Sequence, residues 1–309
     1  MTNANRRIDV HHHIAPPEYL AEIGSAVNAP LRSWSLAKSI EDMDEGGVAT
    51  AIVSVTQIAM RLDDQARVRR LARACNDYAA RMVADHRGRF GMFTALPMPD
   101  IEGSLKEIEY GMDVLKADGV GLYTSYHDKW LGDPVFAPVF EELNRRKAVI
   151  YVHPAVPDCC LNFVPGQQDA NIEYGTDTTR AIARMVFSGA SQTYPDLRII
   201  WSHAGGTMPF LIERLVNLAK APPFAAKLPN GLMHELQRFY YDTAQASNPS
   251  SLGCLRTIVP TSQIMFGTDY PFRLSIEHVE GLAGCGFSAG DLKAVHRDNA
   301  QRLLPKWSR

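Results

Sequence analysis

The sequence has 309 residues, of which 46% are hydrophobic and 21% are charged, and this composition excludes an intrinsically disordered chain. The formal net charge is −2, which gives no electrostatic reason to expect binding to nucleic acid or to an anionic membrane. The first residues lack the apolar segment of a secretory signal, and no apolar run is long enough to span a bilayer. The five cysteines are sparse, and the adjacent Cys159 and Cys160 fit neither a simple disulfide nor a zinc knuckle. We therefore expect reduced thiols and a cytoplasmic location.

Short apolar or β-branched segments alternate along the whole chain with longer segments of helical periodicity. The predicted strands are Ile8–His12, Ala49–Val55, Arg89–Leu96, Gly119–Tyr123, Ala148–His153, Leu197–His203, Phe239–Thr243 and Gln263–Thr268. The predicted helices are Asp64–His86, Ile101–Ala117, Pro134–Lys147, Thr176–Ser188 and Met208–Ala219. Strands that alternate with helices favour a parallel sheet, and eight such strands close a (β/α)8 barrel. We predict an α/β fold with a single TIM-barrel domain over residues 1–309; a doubly wound open sheet is the alternative.

Local signals mark helix starts and loops. Asp133, which precedes a proline, and Asp100 are predicted to cap helices. The long segments Ala15–Ser35 and Ala155–Tyr174 follow the first and fifth predicted strands, and we expect both to be loops on the face where barrels carry their chemistry. The proline-rich stretch Ala221–Pro229 is a third predicted loop.

Histidines and one aspartate stand at the ends of four predicted strands. His11 and His13 are two residues apart on the first strand, so their side chains project from the same face. His153 ends the fifth strand, His203 ends the sixth, and Asp269 follows the eighth. Taken alone, each histidine is more often a structural residue, and the aspartate is as often a turn or capping residue. In a closed barrel these strand ends converge, so the residues share one pocket. Imidazole nitrogens with a carboxylate suit Zn²⁺, and they also tolerate Mn²⁺ or Fe²⁺.

Five other histidines are predicted to be solvated or structural: His86, His127, His234, His278 and His296.

The motifs at these strand ends resemble those of the amidohydrolase superfamily. Within it they are most similar to the metal-dependent decarboxylases that act on aminocarboxymuconate semialdehyde, γ-resorcylate and 6-methylsalicylate. The resemblance covers almost the whole chain, from Ile8-Asp-Val-His-His-His to Phe266-Gly-Thr-Asp-Tyr-Pro-Phe. Its most specific pieces are Trp201-Ser-His-Ala-Gly-Gly-Thr-Met-Pro-Phe and Gly267-Thr-Asp-Tyr-Pro-Phe.

The resemblance implies a role for each of the five residues. His11, His13, His153 and Asp269 match the ligands of one divalent ion, with zinc as the first choice and manganese as the alternative. His203 matches the histidine that handles the proton of bound water or substrate. Many hydrolytic members hold two metals bridged by a lysine on the fourth strand, but that strand here is Gly-Val-Gly-Leu-Tyr, so the resemblance implies a single metal.

The activity that the resemblance implies is the non-oxidative decarboxylation of a hydroxylated aromatic acid or a related unsaturated acid. The carboxyl-bearing carbon is protonated with the help of the metal, and CO₂ then leaves. The proton comes either from His203, through metal-bound water, or from Asp269 itself. A hydrolase or hydratase acting on a lactone or unsaturated dicarboxylate is the alternative, and a non-catalytic binding barrel is a third. No organic cofactor motif is present, and analogy with the family suggests a homodimer.

Residues for binding the substrate are less well defined by the sequence. Candidate partners for a second acidic group are Arg61, Arg180, Arg214 and Arg273, each of which is more often a surface residue. Candidate aromatic lining residues are Phe163, Trp130 and Phe272, for which core packing is an equally good explanation.

Overall fold

A computed structural model of the chain describes residues 6–56, 62, 64–127 and 129–308. Within these ranges eight parallel strands form one sheet and pair in chain order. The strands are β1 Arg7–His13, β2 Val48–Ser54, β3 Phe90–Ala95, β4 Gly119–Tyr123, β5 Val149–His153, β6 Arg198–Trp201, β7 Tyr240–Asp242 and β8 Ile264–Met265.

Backbone hydrogen bonds between β1 and the segment after β8 close the sheet into a barrel. Val10 N donates to Phe266 O at 3.0 Å, and His13 N donates to Tyr270 O at 2.7 Å. The predicted (β/α)8 barrel is therefore confirmed, and the open doubly wound sheet is wrong.

Helices connect successive strands and cover the outside of the barrel. They are Pro17–Ile23, Ala29–Arg32, Leu36–Glu45, Gln65–Asp85, Ile101–Glu109, Ala137–Arg145, Ala170–Phe187, Ala190–Thr193, Ile212–Ala219, Pro222–Ala225, Leu232–Arg238, Pro249–Arg256, Ser275–Ala283, Ala289–Lys293 and Asn299–Leu303. An antiparallel hairpin, Ser125–Tyr126 with Lys129–Trp130, follows β4. In the described part of the chain, none of these helices combines the length and the apolar character needed to cross a membrane.

The predicted strands are present at all eight positions, most with bounds that differ by one or two residues. The largest difference is at the last strand, where Gln263–Thr268 was predicted and only Ile264–Met265 pairs with β7. The ladder ends there because Phe266 N donates to Val295 O at 2.9 Å instead of to a neighbouring strand.

The predicted helix caps are confirmed, whereas two helix starts are wrong. Asp100 accepts a hydrogen bond from Gly103 N, and Asp133 accepts one from Val135 N. The helix expected from Thr176 already begins at Ala170. The helix expected from Met208 begins only at Ile212, because the preceding residues form turns that are anchored by a bond from Thr207 N to Gly175 O at 3.1 Å.

The three predicted loops contain helical turns. Ala15–Ser35 includes the helices Pro17–Ile23 and Ala29–Arg32, each of which has a proline in its first turn, where the missing N–H costs nothing. Ala221–Pro229 includes the short helix Pro222–Ala225. The end of Ala155–Tyr174 belongs to a helix. Buried side chains such as Tyr19 fix these turns to the core, which local composition does not reveal.

The barrel interior is apolar below the carboxyl ends of the strands. Its buried cluster consists of Ile8, Val10, Ile52, Phe93, Val149, Tyr151, Ile200, Met265, Ala300, Leu303 and Leu304. Between Asp9 and His12, β1 advances three residues while β2 advances only from Ala51 to Val53. This bulge changes the alternation of side chains, so that the ring of His11 lies directly above the interior cluster, 5.2 Å from the ring of Tyr151.

Candidate active site

Five side chains named from the sequence meet at the carboxyl ends of the strands. His11 Nε2 lies 3.0 Å from His13 Nε2, and both atoms lie 3.1 Å from Asp269 Oδ1. The His153 ring centroid is 5.3 Å from that of His11 and 4.8 Å from that of His13. His203 Nε2 is 3.4 Å from Asp269 Oδ2. The structure thus brings together all five residues that were predicted to form the metal and proton-transfer site.

Hydrogen bonds on the far side of two rings set their orientation. His11 Nδ1 lies 2.8 Å from Asp242 Oδ2, and His153 Nδ1 lies 2.9 Å from Pro154 O. A carboxylate and a carbonyl only accept hydrogen bonds, so each neutral ring carries its proton on Nδ1. Their Nε2 lone pairs then point toward the cluster, which is the arrangement of a metal-ligating histidine with its supporting acceptor.

Two buried atoms at the centre of the cluster have no hydrogen-bond partner among the described residues: His153 Nε2 and Asp269 Oδ1. The 3.1 Å contacts of Asp269 Oδ1 with His11 and His13 lack hydrogen-bond geometry, although the atoms are close. His13 Nδ1 is occupied by Ser54 Oγ at 2.9 Å. Buried polar atoms are normally paired, so atoms that converge without pairing fit a shared cation.

The charges of the cluster favour a cation at the same place. Burial disfavours the imidazolium of His11, but the carboxylates of Asp242 and Asp269 outweigh it and raise the pKa of His11 to about 10. Burial lowers the pKa of His13 to about 4, and burial with the charges of His13 and His11 holds the pKa of His153 well below its usual range. Burial favours the neutral carboxylic acid of Asp269, but the charge of His11 and the close contacts with the histidine rings outweigh it and hold the pKa of Asp269 well below its usual range.

The donor set therefore fits a divalent metal ion. One ligand atom each from His11, His153, His203 and Asp269 lies within 4.8 Å of the other three. His13 also contacts this group through its Nε2 atom, so the geometry admits either His13 or His203 beside the other three ligands. Nitrogen and carboxylate donors of this kind bind zinc and other first-row divalent ions.

Three residues of the site have a left-handed backbone conformation, which sets the direction of their side chains: His203 (φ 53°), Gln245 (φ 55°) and Asp269 (φ 65°). This conformation is uncommon for residues other than glycine, and it is enriched at functional sites. The turn after His203 continues through Gly206 (φ 66°), where a Cβ atom would lie 2.1 Å from Gly175 O. Only glycine fits this close approach between the turn and a neighbouring helix.

Sequence reasoning missed two residues that hold the site together. Asp242 accepts hydrogen bonds from His11 Nδ1 through Oδ2 and from His203 N, at 2.9 Å, through Oδ1. Its position at the end of the seventh predicted strand was a usable signal. Gln245 donates from Nε2 to Asp269 Oδ2 at 2.9 Å, and no local pattern marks it.

A cavity of about 710 Å³ opens above the cluster. His153, His203 and Asp269 form part of its lining, and Phe272, Phe210 and Tyr174 contribute aromatic surface. The remaining polar lining is uncharged and consists of Asn28, Gln168, Asn171, Thr207, Gln245, Ser250 and Ser251, together with Cys254. No lysine or arginine lines the cavity among the described residues.

One of the three predicted aromatic lining residues lies at the cavity. Phe272 lines it, and its ring centroid is 6.0 Å from that of His13. Phe163 is 71% exposed, and Trp130 donates to the buried carboxylate of Asp177 at 2.6 Å; neither lines the cavity. Their predicted role in binding is therefore wrong for this conformation of the chain.

The predicted arginines do not line the cavity where the structure describes them. Arg180 pairs with Glu173 at 3.0 Å, and Arg273 pairs with Glu277. Arg214 is exposed on its helix. Arg61 lies outside the described residues.

Residues 8–306 match the protein family described as Amidohydrolase. The chain belongs to this family. A 6-methylsalicylic acid decarboxylase of Penicillium expansum is 35% identical over 274 residues, which cover 86% of this chain and 85% of that protein. The decarboxylase yanB of Aspergillus niger is 32% identical over 323 residues, which cover 97% of this chain and 88% of that protein.

Solved structures of decarboxylases share the same amidohydrolase barrel. The dihydroxybenzoic acid decarboxylase of Polaromonas sp. JS666, solved with bound manganese and the inhibitor 2-nitroresorcinol, superposes with a TM-score of 0.82 at 25% identity. The match covers 99% of this chain and 98% of that chain. The resemblance inferred from the strand-end motifs, to amidohydrolases of the decarboxylase branch, is therefore confirmed.

Proposed function

We propose that this amidohydrolase is a carboxy-lyase that removes CO₂, without oxidation, from a hydroxylated aromatic carboxylic acid of the 6-methylsalicylate type. The observation that carries the proposal is the convergence of unpaired histidine and carboxylate atoms at the base of a cavity that is otherwise uncharged in its described lining. Relatives that are decarboxylases by name over most of the chain support it.

In this proposal His11, His13, His153 and Asp269 hold one divalent ion. When bound, the ion would supply Lewis-acid stabilisation for the negative charge of the substrate. Zinc is our first choice because imidazole and carboxylate are its usual ligands, and manganese, which is present in the Polaromonas structure, is the alternative.

The protein's own groups would carry out the proton transfer. His203 reaches the cavity, so we assign to its Nε2 the proton that is delivered to the carboxyl-bearing carbon. The bond from that carbon to CO₂ then breaks as the ring regains aromaticity. Asp269 remains the competing donor, because it lines the same cavity 3.4 Å from His203.

The cavity lining fits an acid with one carboxylate and neutral substituents. Amide and hydroxyl groups such as those of Asn171 and Thr207 can bond to phenolic oxygens, whereas the described lining offers no arginine or lysine for a second carboxylate. Aromatic surface from Phe272 and Tyr174 would exclude water from the ring. We further propose a cytoplasmic homodimer with a single barrel domain over residues 1–309.

The direct test is release of CO₂ from a panel of salicylates, followed by the loss of substrate absorbance. In deuterated water, the product should carry deuterium at the carbon that bore the carboxyl group. Incorporation of labelled solvent oxygen without loss of CO₂ would instead indicate a hydrolase or hydratase. Metal analysis before and after chelation completes the test, because turnover that persists without bound metal would contradict the metal-dependent mechanism.

A further inference from the structure

The segment between β5 and the helix Ala170–Phe187 contains two adjacent thiols that the proposed reaction does not use. Cys159 Sγ lies 2.9 Å from Cys160 Sγ within a single 3₁₀ turn, Asp158–Cys160. The Cys159 side chain is exposed, whereas Cys160 is buried, with 9% of its surface exposed. The two sulfurs are therefore in contact, and one of them is accessible from solvent.

We infer that Cys159 and Cys160 form a vicinal dithiol site that takes hydroperoxides and closes to a reversible disulfide. The sulfurs, which are 2.9 Å apart, must approach to the about 2.05 Å of an S–S bond. The sequence alone argued against a disulfide here, because consecutive Cα atoms are only about 3.8 Å apart, closer than in ordinary disulfides. That strain would make the bond easy to reduce, as expected for a transient disulfide in a reducing compartment.

The surroundings of the two cysteines differ, and this difference indicates which one attacks the hydroperoxide and which one then closes the disulfide. Hydrogen bonding with Cys159, together with burial, raises the pKa of the Cys160 thiol to about 11, so Cys160 is the poorer nucleophile. The guanidinium of Arg180, which is also paired with Glu173, lies 3.8 Å from Cys160 Sγ through Nη2. Its positive charge favours Cys160 as a thiolate at the moment when it must attack.

The chemistry balances with one hydroperoxide for each pair of thiols. The Cys159 thiolate attacks one peroxide oxygen, which becomes the oxygen of a sulfenic acid while the other leaves as water or alcohol. Cys160 then attacks the Cys159 sulfur, the S–S bond forms, and the sulfenic oxygen leaves as water. The two thiols lose two protons and two electrons, and the hydroperoxide is reduced by the same two electrons.

The turn is attached to the wall of the proposed active site. It follows β5, whose last residue is His153, and it precedes the helix that supplies Asn171 and Tyr174 to the cavity. Asp169, just before that helix, accepts from Asn162 N at 3.0 Å with both carboxylate oxygens. The modified residues would therefore lie in the segment that joins a site-bearing strand to a cavity-lining helix.

The experiment treats the folded protein with hydrogen peroxide, alkylates the remaining thiols, and analyses the peptide containing both cysteines by mass spectrometry. The wild-type peptide should lose the mass of two hydrogens and resist alkylation, and dithiothreitol should restore two alkylatable thiols. In Cys160→Ser, Cys159 should stop at a sulfenic acid that dimedone traps. In Cys159→Ser, Cys160 should remain a thiol under the same conditions.

Cys254→Ser is the matched control, because it removes the cavity thiol and keeps the adjacent pair. It should give the wild-type result. The inference is overturned if the wild-type peptide keeps two alkylatable thiols at peroxide levels that oxidise Cys254. It is also overturned if Cys159 accumulates as a sulfinic acid or links to a second chain while Cys160 is still reduced. Neither outcome bears on decarboxylation, which is measured separately.

Discussion

The side chains of the site come from two kinds of backbone. His11, His13 and His153 belong to β1 and β5, and the strands, with a bulge in β1, direct them toward the centre of the cluster. His203 and Asp269 follow β6 and β8 on residues with positive φ. The first group is aimed by local strand structure. The second depends on tertiary contacts through Asp242 and Gln245. Substitutions in this second group and in the residues that support it should therefore affect metal binding, catalysis and folding to different extents.

The largest effect is expected from Asp269→Ala, which removes the carboxylate that faces His11 and His13. Metal and activity should be lost together. A metal contributes several kcal/mol to such transition states, so we expect kcat/KM to fall at least about a thousandfold. Metal content by plasma mass spectrometry and CO₂ release measure the two effects. Asp85→Ala, at an exposed helix end, is the control. Activity that survives Asp269→Ala would contradict its assignment as a ligand.

His203→Asn should keep the metal and lose the proton-transfer step. General acid–base groups typically contribute about 100-fold to 10,000-fold, so kcat should fall within that range. His234→Asn, at an exposed histidine, should leave kcat and metal content unchanged. If His203→Asn instead loses metal as completely as Asp269→Ala does, His203 is a ligand, which the spacing of the ligand atoms also allows.

Asp242→Asn tests a positioning residue that contacts both groups, through His11 and through His203. An amide accepts a weaker hydrogen bond from His11 Nδ1, so metal affinity should fall about 10-fold to 100-fold, as for other residues that support metal ligands. Titration with a chelator in competition measures the affinity, and the absorption spectrum of the cobalt-substituted protein reports changes in ligand geometry. Asp177→Asn is the matched control, because that carboxylate is equally buried but bonds to Thr124 and Ser125. Equal loss of affinity in both variants would indicate a general folding effect.

Gln245→Leu should have a smaller effect on activity than the substitutions above. It removes one hydrogen bond to the outer oxygen of Asp269, worth about 1.5 kcal/mol for a bond to a charged group, so kcat/KM should fall about tenfold. Metal content should remain. Gln65→Leu, at an exposed helix start, should show no change. An unchanged kcat/KM in Gln245→Leu would show that the turn holds Asp269 without this contact.

The smallest expected effect is on the free energy of unfolding and comes from His296, which lies away from the site. It distinguishes a loss of stability from a loss of metal binding or activity. Burial and the charge of Arg7 lower the pKa of His296 from 6.5 to about 4. The unfolded chain therefore binds a proton first, so the stability contributed by the neutral ring is complete above pH 6.5 and is lost as the pH falls toward 4. The slope is at most about 1.4 kcal/mol per pH unit. It is reduced by the partial exposure of the ring.

Urea unfolding of the wild type and of His296→Gln between pH 7 and pH 4 measures this contribution. The glutamine variant should show the shallower decline, because it has no ring to protonate. Parallel curves for the two proteins would mean that the pH dependence comes from other groups, such as the buried histidines of the site.

Local patterns were sufficient for the barrel and for the convergence of five side chains at the candidate site. Alternation of apolar strands with helices predicted eight strands, and chemistry-bearing residues at strand ends predicted where they meet. The same patterns failed at β8, where a bond from Phe266 to Val295 replaces strand pairing, and in Ala15–Ser35, where buried side chains stabilise two short helices. Both failures arise because segments distant in the sequence supply the deciding contacts.

The amino-acid sequence by itself determined the strand count, the strand order and which side chains converge at the strand ends, because these follow from periodicity and from the residues at strand ends. Only the tertiary structure decided how the donors face one another. The bulge in β1, the left-handed turns at His203 and Asp269, and the carboxylate of Asp242 between two strands depend on long-range packing. Such contacts exist only once the barrel is closed, and for that reason no local pattern encodes them.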